Sequence, residues 1–323
     1  MMNVWGSMAQ YEAIAWSWEI AVYLFLAGLS SGSTIIGLLV KWNRHERDTY
    51  SIWDAMIKAG AITAPASLIL GLILLIVDLG KPFSFYWLFV SYNFNSVMTL
   101  GVLFLLIYTP TVIVFMLLVF EQKFVKYRAY VLIEWLIDFI KSFHHYAKII
   151  EYFLFVTALC IGAYTGFLLC AIYAIPMWNS PILPILFLTS GVSSGIAVNI
   201  LIGLIFFKST MSEESVKYLL VLDLRVILTE FPLIGILFIG MGYVGGDSLV
   251  AVKDALSTGL WAFIFWFGVI GIGLLLPLLT VIIALKSHVY RIGYIWMNSI
   301  VVIFGVIMLR YYIVYAGQIY TGQ

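Results

Sequence analysis

The sequence predicts an all-α membrane protein of eight transmembrane helices with both termini on the outer side. Three observations lead there: the composition, the spacing of the apolar runs, and the placement of basic residues between them. Of 323 residues, 63% are hydrophobic and 10% are charged. A soluble domain carries about 25% charged residues. A water-soluble fold of this length cannot hide so much apolar surface, so lipid is the expected solvent for its exterior.

Apolar runs fall at 15–40, 56–79, 95–120, 149–175, 183–207, 217–243, 258–285 and 292–316. Each exceeds the roughly 20 residues that cross about 30 Å of hydrocarbon. The connections then set the orientation. Lys41, Arg44, Arg47 and Lys58 flank the first connection, and Lys123, Lys126, Arg128, Lys141 and Lys148 fill the third. Lys208 and Lys217 lie in the fifth, and Lys286 and Arg291 in the seventh. The even connections hold only Lys81 and Lys253. The excess of cations on one side places the odd loops in the cytoplasm and both ends of the chain outside.

The N-terminus lacks a basic region and a small-residue cleavage site, so the first run reads as an uncleaved helix. Residues 131–147 put Ile133, Leu136, Ile140 and Phe143 on one helical stripe, away from Glu134, Asp138 and Lys141. That pattern predicts an amphipathic helix on the cytoplasmic interface. The first and fifth helices share a short motif, Gly28-Leu-Ser-Ser-Gly32 and Gly191-Val-Ser-Ser-Gly195. Two readings stand for it: a duplication of four helices plus four, or small residues that simply allow close helix packing.

Several chemistries are excluded. A net charge of +1 and the lack of a basic tract give no reason to expect nucleic acid. Cys160 and Cys170 are ten residues apart in one helix, a rise of roughly 15 Å, against the roughly 7 Å limit for a disulfide. His45, His144, His145 and His288 all fall in connections, whereas a transmembrane bis-histidine haem needs its ligands inside the helices. No cysteine set for an iron–sulfur cluster and no other metal pattern is present. Redox work by this chain therefore requires a diffusible lipid cofactor and a partner's metal centres.

Charged groups in a bilayer cost about 2.5–3.5 kcal/mol each on insertion scales, which makes them functional candidates. Glu19 lies one turn into the first helix, Asp78 at the outer end of the second, and Asn95 at the outer start of the third. Tyr23 is one turn below Glu19, and Tyr164 is in the outer half of the fourth helix. These five can pool polar groups at one depth in the outer leaflet. A quinone suits such a cluster: it is apolar, arrives through lipid and offers two carbonyls, and its reduction moves two protons. A tyrosine hydroxyl can bind a carbonyl and a carboxylate can exchange the proton. Trp16, Trp18, Phe83, Phe85, Tyr86 and Trp87 can wall the ring or form the interfacial aromatic belt. A second group, Asp223, Arg225, Glu230 and Arg310, occupies the later helices. It reads either as a proton path or as structural ion pairs such as Glu230 with Arg310.

The run Trp16-Ser-Trp18-Glu19-Ile-Ala-Val-Tyr23-Leu-Phe-Leu-Ala-Gly28-Leu-Ser-Ser-Gly32 resembles the opening helix of NrfD/PsrC-type membrane subunits. So do Asp78-Leu-Gly-Lys-Pro82, Asn95-Ser-Val-Met-Thr-Leu-Gly101, Tyr164-Thr-Gly166 with Ala174-Ile-Pro-Met-Trp178, and Leu309-Arg310 with Ala316-Gly-Gln318. The matches are ordered along nearly the whole chain. The resemblance implies two four-helix bundles, 1–176 and 177–323, without haem. It implies an iron–sulfur subunit and a molybdopterin catalytic subunit on the outer face of a prokaryotic cytoplasmic membrane. It also implies a site for exchangeable menaquinone or ubiquinone in the first bundle. Tyr164 occupies the place of the quinone-contacting tyrosine of the family's polysulfide reductase subunit. Tyr23 and Ile20 stand where that subunit has a histidine and an asparagine. The Asp78–Pro82 element is typical of the broader family, so the resemblance favours the family over that one enzyme.

The expected function is thus a quinone-reactive anchor of a respiratory oxidoreductase, not a complete enzyme alone, with or without proton translocation. A proton-coupled secondary transporter built on the same intramembrane carboxylates is the alternative, and a purely structural anchor a third reading.

Overall fold

The computed structural model describes residues 16–43, 51–78, 82–90, 92–93, 96–125, 141–207, 212–287 and 292–320. Among them, eight helices are long and apolar enough to cross a bilayer, and the chain is a multi-pass membrane protein. The first five spans are α1 (Trp18–Trp42), α2 (Ile52–Asp78), α3 (Val97–Val125), α4 (Ala147–Cys170) and α5 (Leu183–Phe206). The sixth is α6 (Glu213–Val244), followed by a short helix α7 (Gly246–Ser257). The seventh span, α8, joins Gly259–Phe263, a π-helical stretch Ile264–Leu275, and Leu276–Ser287. The last is α9 (Ile292–Ile319). A 3₁₀ helix, Pro82–Phe89, lies between α2 and α3.

All eight expected spans are present, with ends displaced by a few residues. The fourth stops at Cys170 rather than 175, because residues 171–182 turn around Pro176 and Pro181. Helix α7 stands where a loop was expected; its sequence, GDSLVAVKDALS, is too short and polar to register as a span. Of the amphipathic segment expected at 131–147, residues 131–140 lie outside the described residues, and 141–144 are helical.

Helix α1 is the core of the molecule and packs against α2, α4, α5 and α9. Small residues make this possible. A Cβ on Gly32 would lie 1.9 Å from the Gly191 carbonyl oxygen, and one on Gly195 would lie 2.3 Å from the Gly32 carbonyl carbon. The two glycine–serine motifs therefore cross each other backbone to backbone, the contact that small-xxx-small patterns permit in lipid. The serines flanking this crossing find partners across helices: Ser30 Oγ donates to the Ala64 carbonyl at 2.7 Å and Ser31 Oγ to the Ala158 carbonyl at 2.8 Å.

Below, the side on which α1 begins is the near side and the opposite one the far side. On the far side, Glu151 of α4 is buried, with Lys41 Nζ 2.6 Å from one carboxylate oxygen and Trp42 Nε1 donating to the other at 2.9 Å. This clamp joins the end of α1 to the start of α4. On the near side, the Gln318 side chain accepts from Trp16 N at 2.8 Å and donates to Trp16 O at 3.1 Å. Trp16 packs on Trp178 with ring centroids 5.0 Å apart, and Trp178 Nε1 donates to the Ile313 carbonyl at 2.8 Å. The near-side rim is thus closed by Trp16, two residues ahead of α1, with residues from the α4–α5 connection and α9.

Candidate functional site

The near-side candidates divide into two neighbourhoods. Tyr23 and Tyr164 meet in one apolar cluster, 2% and 6% exposed, together with Ile20, Leu24 and Leu168. Each ring rests on a glycine. A Cβ on Gly101 of α3 would lie 1.9 Å from Tyr164 Cζ and 2.0 Å from its hydroxyl oxygen, and one on Gly71 of α2 would lie 3.3 Å from Tyr23 Cδ2. Phe104 meets Tyr164 edge-on, with centroids 6.4 Å apart. Neither tyrosine hydroxyl is committed to a hydrogen bond with another described residue. Two uncommitted phenol donors in an apolar setting can bind carbonyl oxygens of a lipid-soluble ring.

Glu19 faces elsewhere. It lies within electrostatic range of Tyr311 and Tyr315 on α9, and its Oε2 is buried with no hydrogen-bonding partner among the described residues. Tyr315 stacks on Trp261 with centroids 5.0 Å apart and an interplanar angle of 13°. Asp78 is exposed at the end of α2 and accepts from Ser17 Oγ at 2.7 Å, which ties the near-side ends of α1 and α2. Asn95 and Lys81 lie outside the described residues. Trp18, Phe83, Tyr86 and Trp87 are at least half exposed, as belt residues are.

The later helices form a buried polar file. Asn298 of α9 donates through Nδ2 to Asp223 of α6 and accepts from Thr280 Oγ1 of α8 at 3.0 Å. Glu230, two turns along α6, is within electrostatic range of Asp223 and Arg310, and the Ser193 hydroxyl is near its carboxyl without a hydrogen bond of normal geometry. Arg310 is completely buried; Nη2 donates to the Phe187 carbonyl at 2.8 Å and to Ser190 Oγ at 2.9 Å, and the guanidinium lies 3.6 Å over the Phe187 ring. Glu230 and Arg310 do not form a direct ion pair among the described residues: Glu230 Oε1 and Arg310 Nε and Nη1 have no hydrogen-bonding partner. Arg225 is exposed and stands apart from this file.

A cleft of about 500 Å³ lies away from both groups, between α4 and α5, lined by residues such as Phe167, Tyr173, Asn179 and Ile185. Phe167, Tyr173 and Ile185 are more than half exposed, so it belongs to the outer surface of the helix bundle. Among the described residues no group of histidine, cysteine, aspartate and glutamate is arranged to hold a metal ion.

Residues that sequence reasoning missed are of two kinds. Gly71 carried no signal, and Gly101 signalled only as the end of a familiar segment. Glu151 did carry a signal, a carboxylate in an apolar run, and its Lys41 partner satisfies it. Ser193 was visible only as part of a packing motif.

The model of the family described as "Polysulphide reductase, NrfD" matches residues 6–322. The sequence is 46% identical to a polysulfide reductase chain of Wolinella succinogenes over 322 residues, covering the whole of both proteins. It is 36% identical to an NrfD homologue of Haemophilus influenzae, covering 95% of each. It is 24% identical to a selenate reductase subunit of Mesobacillus selenatarsenatis, over 93% of this protein and 73% of that one. These identities run against the leaning toward the broad family over polysulfide reductase, since the Wolinella protein scores above the NrfD homologue.

Proposed function

From the premise that this chain belongs to the polysulphide reductase NrfD family, we propose that it is the quinone-reactive membrane subunit of a respiratory reductase complex. It exchanges electrons between membrane menaquinone or ubiquinone and an iron–sulfur partner, which in turn serves a molybdopterin catalytic subunit. The observation that carries this reading is the Tyr23–Tyr164 pair: two buried tyrosines whose hydroxyls have no hydrogen-bonding partner among the described residues, on glycine floors, in an otherwise apolar cluster. The residues present fit a quinone, which supplies two-electron, two-proton chemistry when bound. Tyr164 and Tyr23 donate to its carbonyls, and the bare backbone at Gly101 and Gly71 makes room for the two tyrosine rings that hold these donors in place. Glu19 and Asp78 serve proton exchange at the near-side rim, and Asn95 is a hydrogen-bonding candidate there. The site lies within residues 1–176, the first of two four-helix bundles.

On the same reading the near side lies outside a prokaryotic cytoplasmic membrane, supported by the basic loops at the opposite ends of the helices. The iron–sulfur partner then docks on the near side. Asp223, Glu230 and Arg310 are a path for protons within the second bundle, favoured over structural pairing by the missing Glu230–Arg310 contact among the described residues.

Quinol-analogue binding, followed by tryptophan fluorescence quenching, tests the assignment in wild type and in Tyr164→Phe. The expected result is saturable quenching that weakens at least tenfold in the variant while the protein stays folded. Equal affinity in both would remove Tyr164. A protein that purifies without iron or molybdenum partners and carries a solute against a proton gradient would instead be a transporter.

A further inference from the structure

Glu230 and Asp223 are each 4% exposed, and each lines a small cavity of about 10 Å³. The first cavity is closed by Ile234, Val269, Gly273, Gly305, Val306 and Leu309. The second lies among Ile200, Leu219, Ile295, Asn298 and Ser299. A buried water needs about 10–15 Å³ of such space and two to four polar partners.

Both cavities reach the lower end of that volume, and each has a carboxyl in its wall. At the first, Glu230 Oε1 lacks a hydrogen-bonding partner among the described residues, although it is sealed from solvent. Gly273 and Gly305 can line the cavity only with backbone, and they press together so closely that a Cβ on Gly273 would lie 2.7 Å from Gly305 Cα. Gly273 belongs to the π-helical stretch of α8, where the Leu276 N–H reaches back five residues to the Gly271 carbonyl. A π-helix is rare, and its widened turns occur at functional sites. At the second cavity the polar walls are Asp223, Asn298 and Ser299. Outside the two cavity linings, Ser193 Oγ and two nitrogens of Arg310 are further buried polar atoms of the file without hydrogen-bonding partners among the described residues. Opposite charges within electrostatic range, out of contact and with free valences on both, are what a bridging water joins.

We propose that Glu230 and Asp223 each hold an internal water in these cavities, and that the waters join the two carboxyls to Ser193 and Arg310 as one hydrogen-bonded file. The waters stand on the geometry alone; their use as a relay rests on the proton-path reading above. Each carboxyl is then hydrated inside the membrane, able to pass a proton to its neighbour without moving its helix.

X-ray hydroxyl-radical footprinting of the purified protein reads this directly, with water itself as the probe. Radiolysis splits bound water in place, and the radical oxidises side chains in contact with it. Ile234 and Leu309, 5% and 4% exposed, should be labelled several-fold more than Leu24 and Leu168, which are at 0% and 7% and line neither cavity. Val306→Ile fills the Glu230 cavity and leaves every polar group in place, so it should abolish the excess at Ile234 and Leu309 while Ile200 and Leu219 keep theirs. Glu230→Leu should do the same if it folds; Val306→Ile carries the test if it does not. Labelling of the cavity residues at the control level in wild type, or an excess unchanged by Val306→Ile, would overturn the proposal. Waters detected in a complex that moves no protons would keep the sites and remove only the proton path.

Discussion

Gly101 lies directly beneath the ring of Tyr164, so close that a methyl group there would fall 2.0 Å from the phenolic oxygen. The atoms in the way are the far end of the Tyr164 ring, which can yield only by swinging the ring away from this position. Gly101→Ala must therefore push Tyr164 out of its place. Overpacking of this kind costs about 1–3 kcal/mol. Quinol-dependent turnover should fall in Gly101→Ala at least as far as in Tyr164→Phe, with the helical content unchanged by circular dichroism. Normal turnover in Gly101→Ala would mean that the position of the Tyr164 hydroxyl is immaterial.

The far-side clamp predicts a different response. Glu151→Ala leaves Lys41 and the Trp42 N–H facing a buried gap. Removing one member of a buried pair costs about 3–5 kcal/mol; with 27% of the Lys41 side chain exposed, about 2–3 kcal/mol is expected here. Thermal unfolding in detergent should shift down accordingly, while quinone affinity, set at the other end of the molecule, should not change. A shifted affinity with unchanged unfolding would reverse the two roles.

The crossing of α1 and α5 admits no side chain. Gly32→Ala places a Cβ 1.9 Å from the Gly191 carbonyl oxygen, and backbone on both sides prevents relief. Immunoblots of the membrane fraction should show the full-length protein lost or strongly reduced. Ser31→Ala, one residue away, removes a single hydrogen bond and should cost only about 1 kcal/mol. Similar levels of both variants would contradict the packing described.

The eight spans were legible because hydropathy and loop charge act at the scale of a whole helix. Helix α7 was not, since twelve mixed residues have neither the length nor the apolarity of a span. The π-helical stretch was equally silent: its residues read as an ordinary apolar run, and Gly273 within it packs closely on Gly305. The glycine–serine motifs were visible as a repeat, but their meeting face to face is a property of the fold. The candidate site shows the same division. Tyr23 and Tyr164 could be matched by depth alone, and the structure brings them together. Glu19 shares that depth, yet it faces Tyr311 and Tyr315. Depth along a helix follows from residue number, whereas the neighbour a side chain faces depends on which helices pack beside it.

The hydrogen bonds between Trp16 and Gln318 span 302 residues, almost the entire sequence. During synthesis, α1 enters the membrane well before α5 and α9, with its crossing face for α5 uncovered until that span arrives. Its near-side rim stays open until α9 has been made. Closure of that rim is thus a late step of assembly, joining Trp16, just ahead of α1, to a residue made 302 positions later.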